Sequence, residues 1–287
     1  MSDWYQIESG QIIVQVTTKG AELKRLFNKI WNKELLWSGD EKVWNRSAPI
    51  LFPIVGGLKD NEYIFDNQTY TLPRHGFARD CEFVCTYCGE NELKFKLVTT
   101  KETYQNYPFI FELYVDYLLH DENLKVSYRV KNLDTKTMYF SIGSHPAFDT
   151  RQFDHFELRF EKNEDSMYYL KEGLAQFHQS QNVTNPLPLA KGMFINDALI
   201  FKKLKSKYIE LVDRKSKEVI KVTFGKVPFL GIWGPIQNQF VCIEPWFGVA
   251  DTVDHDKKIE NKLGIHSIRP SEIFECSYEI ELSKLAT

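Results

Sequence analysis

Apolar and polar residues alternate with a period of two along most of this chain, and the strand pattern is clearest between Phe83 and Met138. Glu82–Tyr87 and Glu92–Thr99 are joined by Gly89-Glu-Asn. Phe111–Leu119 and Leu124–Asn132 are joined by His120-Asp-Glu-Asn. A period of two sends alternate side chains to opposite faces of an extended strand, so both pairs are predicted as antiparallel hairpins. Upstream, Gln11–Thr18 and Ala21–Phe27 flank Lys19-Gly20. Glu34–Trp37 is a short strand candidate, and Glu62–Phe65 and Gln68–Leu72 flank Asp66-Asn67, a two-residue turn of the primed type. Downstream, Phe156–Phe160, Tyr208–Val212, Val219–Phe224, Phe229–Trp233, Phe240–Glu244 and Phe274–Leu282 read as strands. Helical signals are confined to a brief turn at Lys101–Tyr107 and a short helix at Asp256–Leu263, closed by Gly264.

Strand follows strand without a regular alternation with helices, so the pattern predicts an all-β fold, a large antiparallel β-sandwich. No repeat or Gly/Ser linker interrupts it, and residues 1–287 are read as a single domain. Two stretches stand apart. Ala48–Gly57, A-P-I-L-F-P-I-V-G-G, is apolar but carries two prolines and two glycines, which suits a buried irregular segment rather than a central strand or a helix. Residues 161 to 195 have weak periodicity and several loop signals.

Composition narrows the partners. The 287 residues include 21 Phe, 14 Tyr and 6 Trp, and aromatic side chains both favour strands and stack on sugar rings. A net charge of -3 with no basic block gives no footprint for nucleic acid or an acidic membrane, so small neutral or moderately charged ligands are expected. No run reaches the ~18 apolar residues of a membrane span, and the first ten residues lack the basic and apolar regions of a secretion signal. Five cysteines, an odd number, fit reduced thiols. A soluble cytoplasmic protein is expected.

Chemistry concentrates at few places. In M-Y-F-S-I-G-S-H-P-A-F, Met138–Phe148, an apolar run breaks at Gly143-Ser144 and places His145 directly before Pro146. A residue before proline is held extended, and an imidazole titrates near neutrality, so His145 is either a proton donor and acceptor at a strand end or a histidine satisfied by one buried hydrogen bond. His75 likewise follows Pro73-Arg74 and precedes Gly76. Arg46 and Arg79 offer planar forks for hydroxyls, a carboxylate or a phosphate, or else structural ion pairs. Glu244, in V-C-I-E-P-W-F-G-V-A-D, is expected at the end of a buried strand among aromatics, where an apolar setting raises a carboxylate towards the range of a general base. Cys81, Cys85 and Cys88 have the spacing of an iron–sulfur signature, but strict alternation would leave Cys88 on the opposite face from the other two, a poor clamp for a cluster. No zinc-type cysteine pairs, P-loop or G-x-G-x-x-G occurs, and no metal is expected.

Four segments, R46-S-A-P-I-L-F-P-I-V-G-G, R74-H-G-F-A-R, S144-H-P-A-F and I243-E-P-W-F-G-V-A-D, in this order and at these separations, resemble the aldose 1-epimerase (mutarotase) family, and its LacX-like branch most. The resemblance spans nearly the whole chain. It implies a β-supersandwich that interconverts the anomers of a sugar or sugar phosphate without metal or nucleotide cofactor. It further implies His145 as general acid, Glu244 as general base, His75 and Asp197 as sugar contacts, and Arg46 and Arg79 as the substrate and phosphate arginines of the hexose-6-phosphate branch. Apart from the resemblance, Trp246, Phe247 or Trp233 is either an apolar face for the sugar ring or an aromatic of the core. Two departures stand out: Phe77 follows His75-Gly76 where galactose mutarotases have a second glycine, and Ser47-Ala48 follow Arg46 where the phosphate branch has two glycines.

Overall fold

The computed structural model describes residues 2–285. Two large antiparallel sheets carry the chain. The nine-stranded one runs Leu187–Pro188, Phe156–Phe160, Tyr208–Asp213, Glu218–Thr223, Ile273–Lys284, Asn123–Asn132, Phe111–His120, Glu92–Val98 and Val84–Cys88 in spatial order. Its two longest hairpin partners keep a strict alternation: in Phe111–His120, Phe111, Leu113, Val115, Tyr117 and Leu119 face inwards and are buried, while the residues between them are polar or at most partly covered, and Asn123–Asn132 follows the same pattern. The second sheet runs Leu174–Gln181, Met167–Lys171, Leu199–Lys202, Phe229–Trp233, Phe240–Phe247, Ile142–Ser144 and Ile50–Leu51, with Ala147–Asp149 also paired to Phe240–Phe247. A four-stranded sheet at the N-terminus (Trp4–Glu8, Ile12–Thr17, Leu23–Asn28, Lys33–Glu34) and two short ribbons complete the structure. One hydrophobic cluster, from Ile7 to Leu282, joins them. Among the described residues no helix is long and apolar enough to cross a membrane.

Most hairpins fall where the alternation places them, and Asp66-Asn67 form their turn with both φ angles positive. Ala48–Gly57 is buried throughout and contributes only the two-residue edge strand Ile50–Leu51. Three expectations need correction, and the weakly periodic stretch, for which the sequence predicts no element, resolves into strands. Asp256–Leu263 forms a single 3₁₀ turn at Ile259–Asn261 instead of a helix. The Asp256 carboxylate accepts from the Lys258 N–H and the Asn261 amide, local bonds that compete with helical ones. In the weakly periodic region, Met167–Lys171 and Leu174–Gln181 pair as strands, with a register shift between Met167 and Tyr169 that breaks the period. A bulge between Cys85 and Tyr87 resets the parity of the edge strand, so Cys85 and Cys88 lie opposite Phe95 and Leu93 and share a face. Finally, Glu244 is not at a strand end, because Phe240–Phe247 runs straight through Pro245.

That proline is tolerated for a local reason. Ile243 donates its N–H to the Pro146 carbonyl, so the backbone of Pro245, two residues on, points towards the same neighbour. There the neighbouring strand is interrupted between Ser144 and Ala147, and no ladder bond is asked of the missing N–H. The same interruption lifts His145 out of the sheet and over Glu244.

Candidate active site

His145 and Glu244 therefore meet because one strand is broken opposite a proline in the next. His145 Nε2 lies 3.1 Å from Glu244 Oε2, and both side chains are almost fully buried. A second ligand secures the carboxylate: the indole N–H of Trp246 donates to the same Oε2 at 3.2 Å. Residues i and i+2 of a strand share a face, and the indole folds back towards Glu244 because glycines stand beside it on both flanking strands. Gly143 pairs with Trp246 and Gly231 with Glu244. A Cβ on Gly231 would sit 2.4 Å from the indole Cζ2, and one on Gly143 would sit 2.8 Å from its Cδ1. Gly231→Ala is accordingly expected to cost about 1–3 kcal/mol by overpacking. The indole would be displaced as well, read as a lowered denaturant midpoint together with a shifted tryptophan emission. An unchanged midpoint would mean that the ring has room to move.

His75 approaches from the irregular loops. Its N–H donates to the Gly56 carbonyl at 2.9 Å, and the Gly56 N–H donates to His75 Nδ1 at 3.1 Å. With Nδ1 serving as acceptor, the neutral ring carries its proton on Nε2. This clasp is what the buried Pro/Gly-rich segment provides. His75 and Gly76 both have positive φ, near 70°, and a Cβ on Gly76 would collide with the Phe52 carbonyl at 2.3 Å. The His75 and His145 rings lie 5.7 Å apart, edge to face.

A cavity of about 250 Å³ opens over these groups, lined by Trp44, Arg74, His75, Arg79, His145, Asp197, Ala198, Trp233, Glu244 and Trp246. Seven of the residues singled out from the sequence thus share one space: His75, Arg79, His145, Asp197, Trp233, Glu244 and Trp246. Arg46 stands behind it, ion-paired to Asp80 at 2.6 Å and donating to the Arg79 carbonyl at 3.2 Å, so it supports Arg79 without lining the cavity. Asp197 is held by Arg74 through two parallel bonds of 2.9 and 3.2 Å at the rim.

The sequence reading missed Arg74 and Trp44. Arg74 adjoins His75 in the chain, a signal that was available. Trp44 lies in an irregular polar stretch with no periodicity to mark it. Its carbonyl accepts from the buried Trp37 indole at 2.8 Å, which seats its ring 5.0 Å from that of His145. The Glu22 carboxylate, accepting from the Ser47 and Ala48 N–H groups, pins the same loop from below.

Burial governs the electrostatics. It raises the Glu244 carboxyl well above its ordinary range, lowers His145 to about 3, and lowers His75 well below its usual value, with the neighbouring His145 adding to the last effect. With both side chains this deeply buried, the cheapest state of the His145–Glu244 pair is the one with a single proton between them and no net charge. That proton can reside on either partner of the 3.1 Å contact without altering the total. Arg79 is lowered to about 10, again chiefly by burial. Its Nε has no hydrogen-bond partner among the described residues, and the nearest Asp80 oxygen is 3.9 Å away.

Comparison with known proteins agrees with this architecture. The aldose 1-epimerase family pattern matches residues 3–263. The plasmid-encoded LacX protein of Lactococcus lactis subsp. lactis is 30% identical, over 96% of this chain and 98% of that one. A galactose mutarotase related enzyme from Lactobacillus acidophilus superposes with a TM-score of 0.94 at 31% identity, covering 99% of this chain and 98% of that one. A galactose mutarotase-like protein from Lactobacillus casei gives 0.92 at 29% identity, covering 98% and 100%. A more distant structure, a putative aldose 1-epimerase from Escherichia coli K12, shares the fold at a TM-score of 0.81 and 16% identity over 99% and 100% of the two chains. The chain belongs to the aldose 1-epimerase family and is an isomerase of that type.

Proposed function

We propose that the protein interconverts the α and β anomers of an aldohexose, with Glu244 as base and His145 as acid. The observation that carries this reading is the 3.1 Å contact of two buried, oppositely tuned proton carriers facing one small cavity. Its volume, about 250 Å³, falls below the roughly 300–1,000 Å³ of drug-sized ligand sites and suits a monosaccharide better than a chain of sugars.

Ring opening needs a proton taken from the anomeric hydroxyl and a proton given to the ring oxygen as the C1–O5 bond breaks. Glu244 takes the first and His145 gives the second, so the pair begins and ends with one proton. Rotation about C1–C2 turns the aldehyde over, and the reverse transfers close the other anomer. His75 presents its Nε2–H as a neutral donor to a substrate oxygen. Asp197 and Arg74 offer acceptor and donors to hydroxyls at the rim, while Trp44 and Trp233 provide apolar faces. The chain carries this site as one domain, a reading supported by the core shared from Ile7 to Leu282.

Polarimetry of freshly dissolved α-glucose and α-galactose tests the proposal: the protein should hasten the approach to equilibrium rotation, and rates equal to buffer with both sugars and their 6-phosphates would leave only a sugar-binding module. A second reading, a hexose-6-phosphate 1-epimerase, is favoured by Arg79, whose partly buried guanidinium lines the cavity and whose Nε–H has no partner among the described residues. Magnetisation exchange between the anomers of glucose 6-phosphate, faster than that of glucose at equal concentration, would select it. In either case Trp246→Phe, which keeps a ring but removes the N–H that favours ionised Glu244, is expected to lower kcat/KM about tenfold at neutral pH, the equivalent of a hydrogen bond to a charged group of about 1.5 kcal/mol. The acidic limb of its pH profile should move to higher pH; a profile in the original place would restrict Trp246 to packing.

A further inference from the structure

A third potential ligand lies beside the acid–base pair. Cys242 and Glu244 stand at i and i+2 of the same strand and therefore share a face, and the interrupted neighbouring strand sets His145 over both. The Cys242 sulfur, a Glu244 carboxylate oxygen and an imidazole nitrogen of His145 all lie within 4.8 Å of one another, and all three residues are buried. We infer that these side chains bind a borderline divalent transition metal ion, Zn²⁺ being the representative, and that its occupancy arrests anomer exchange.

The donor set argues for this chemistry. Thiolate, imidazole and carboxylate are the ligands that Zn²⁺ takes, at about 2.0–2.3 Å, which separates ligand atoms on a tetrahedral ion by about 3.5 Å. The His145–Glu244 contact is already 3.1 Å, and no two of the three donor atoms are more than 4.8 Å apart. Two of the donor residues also keep unused capacity: His145 Nδ1 and Glu244 Oε1 are buried without a hydrogen-bond partner among the described residues. Three protein ligands leave a fourth position towards the cavity for water or a sugar oxygen.

Charge pulls both ways. Arg79 and Arg74 at the cavity wall disfavour a cation and Asp197 at its rim favours one, whereas the Cys242 thiolate and Glu244 carboxylate together offset a divalent charge. Binding expels the thiol proton and the proton held between Glu244 and His145 to solvent, so affinity should rise with pH. The metal would occupy the lone pairs that proton exchange requires, which makes it an inhibitor and not a cofactor. Metal uptake does not depend on the proposed function; only the inhibition does.

The test uses the full chain with Cys81, Cys85 and Cys88 replaced by Ser, so that the thiol-bearing edge strand cannot compete. Equilibrium dialysis should show one Zn²⁺ per chain. Cobalt loading should show a sulfur-to-metal charge-transfer band. Cys242→Ser, which keeps the side-chain volume, and Cys242→Ala should both abolish the band, weaken Zn²⁺ binding at least tenfold, and sustain anomer exchange at Zn²⁺ concentrations that silence the parent. Absence of the band in the parent, or affinity in both Cys242 variants equal to that of the parent, overturns the site; tight binding that leaves exchange untouched overturns its inhibitory role. Should the metal-free parent bind Zn²⁺ as expected yet never exchange anomers, the site stands and the functional proposal fails.

Discussion

Glu244→Gln is expected to slow anomer exchange by about 10²–10⁴-fold, the contribution of one general acid–base group. The amide has nearly the same shape and can still accept from the Trp246 indole, so geometry is retained while the proton acceptor is lost. The same variant has a second readout that does not depend on turnover. Burial raises the carboxyl of Glu244 above its ordinary value of 4.5, so the folded protein retains a proton that the unfolded chain releases. Between 4.5 and the raised folded value the native state binds more protons than the unfolded one, and stability conferred by the carboxyl falls as pH rises. The stability of the wild type relative to Glu244→Gln should therefore be greatest below pH 4.5 and decline steadily towards neutral pH. Denaturant midpoints measured for both proteins at several pH values check this. A difference that grows with pH would mean that Glu244 is held as an anion, stabilised by the guanidinium of Arg74, the foremost influence opposing burial there.

Much of this molecule could be read from periodicity, and the reasons for the exceptions are local. Phe111–Leu119 and Leu124–Asn132 alternate so regularly because only one side of their sheet meets the core, and the structure extends each by a residue at the turn. Leu199–Lys202 escaped notice because Leu199, Ile200 and Phe201 are all buried, and a short strand covered on both faces has no alternation to display. Glu244 was recognised from its apolar neighbours, yet its strand was cut short at Pro245, since the interruption that accommodates the proline lies a hundred residues upstream at His145-Pro146. The site shows the same division. His75, His145 and Glu244 carry their own signals, namely a titratable side chain beside proline or glycine or within an apolar run. Trp44 carries none, because what places it against His145 is a bond from Trp37 and a carboxylate from Glu22, contacts fixed only by the tertiary fold. The cysteine parity was misjudged because one inserted residue changes faces for everything after it.

The largest effect on stability is expected from Asp251→Ala, at about 3–5 kcal/mol, the cost of leaving a buried charge unpaired. Lys262 is 3% exposed, and its ammonium donates to Asp251 Oδ1 and to the Val249 carbonyl, both at 2.7 Å. Asp251 Oδ2 accepts from the Lys59 N–H at 3.0 Å, and the Asp251 backbone donates to the Gly57 carbonyl at 2.9 Å and accepts from Ala175. This one residue thus ties the segment that follows Glu244 to the loop whose Gly56 clasps His75. Ala250 packs so tightly there that a Cβ on Gly56 would stand 2.6 Å from it. Removing the carboxylate strands the ammonium in the core and loosens both loops together, so exchange activity should fall along with the denaturant midpoint. The double variant Asp251→Leu/Lys262→Met removes both charges and is expected to recover a large part of the lost stability, because an apolar pair of similar volume is often as good as a buried ion pair. It should recover less of the activity, since the Lys59 bond stays broken and the Val249 bond is lost with the Lys262 ammonium. Equal recovery of both would show that the pair serves only to neutralise itself, with no part in holding His75 against the cavity.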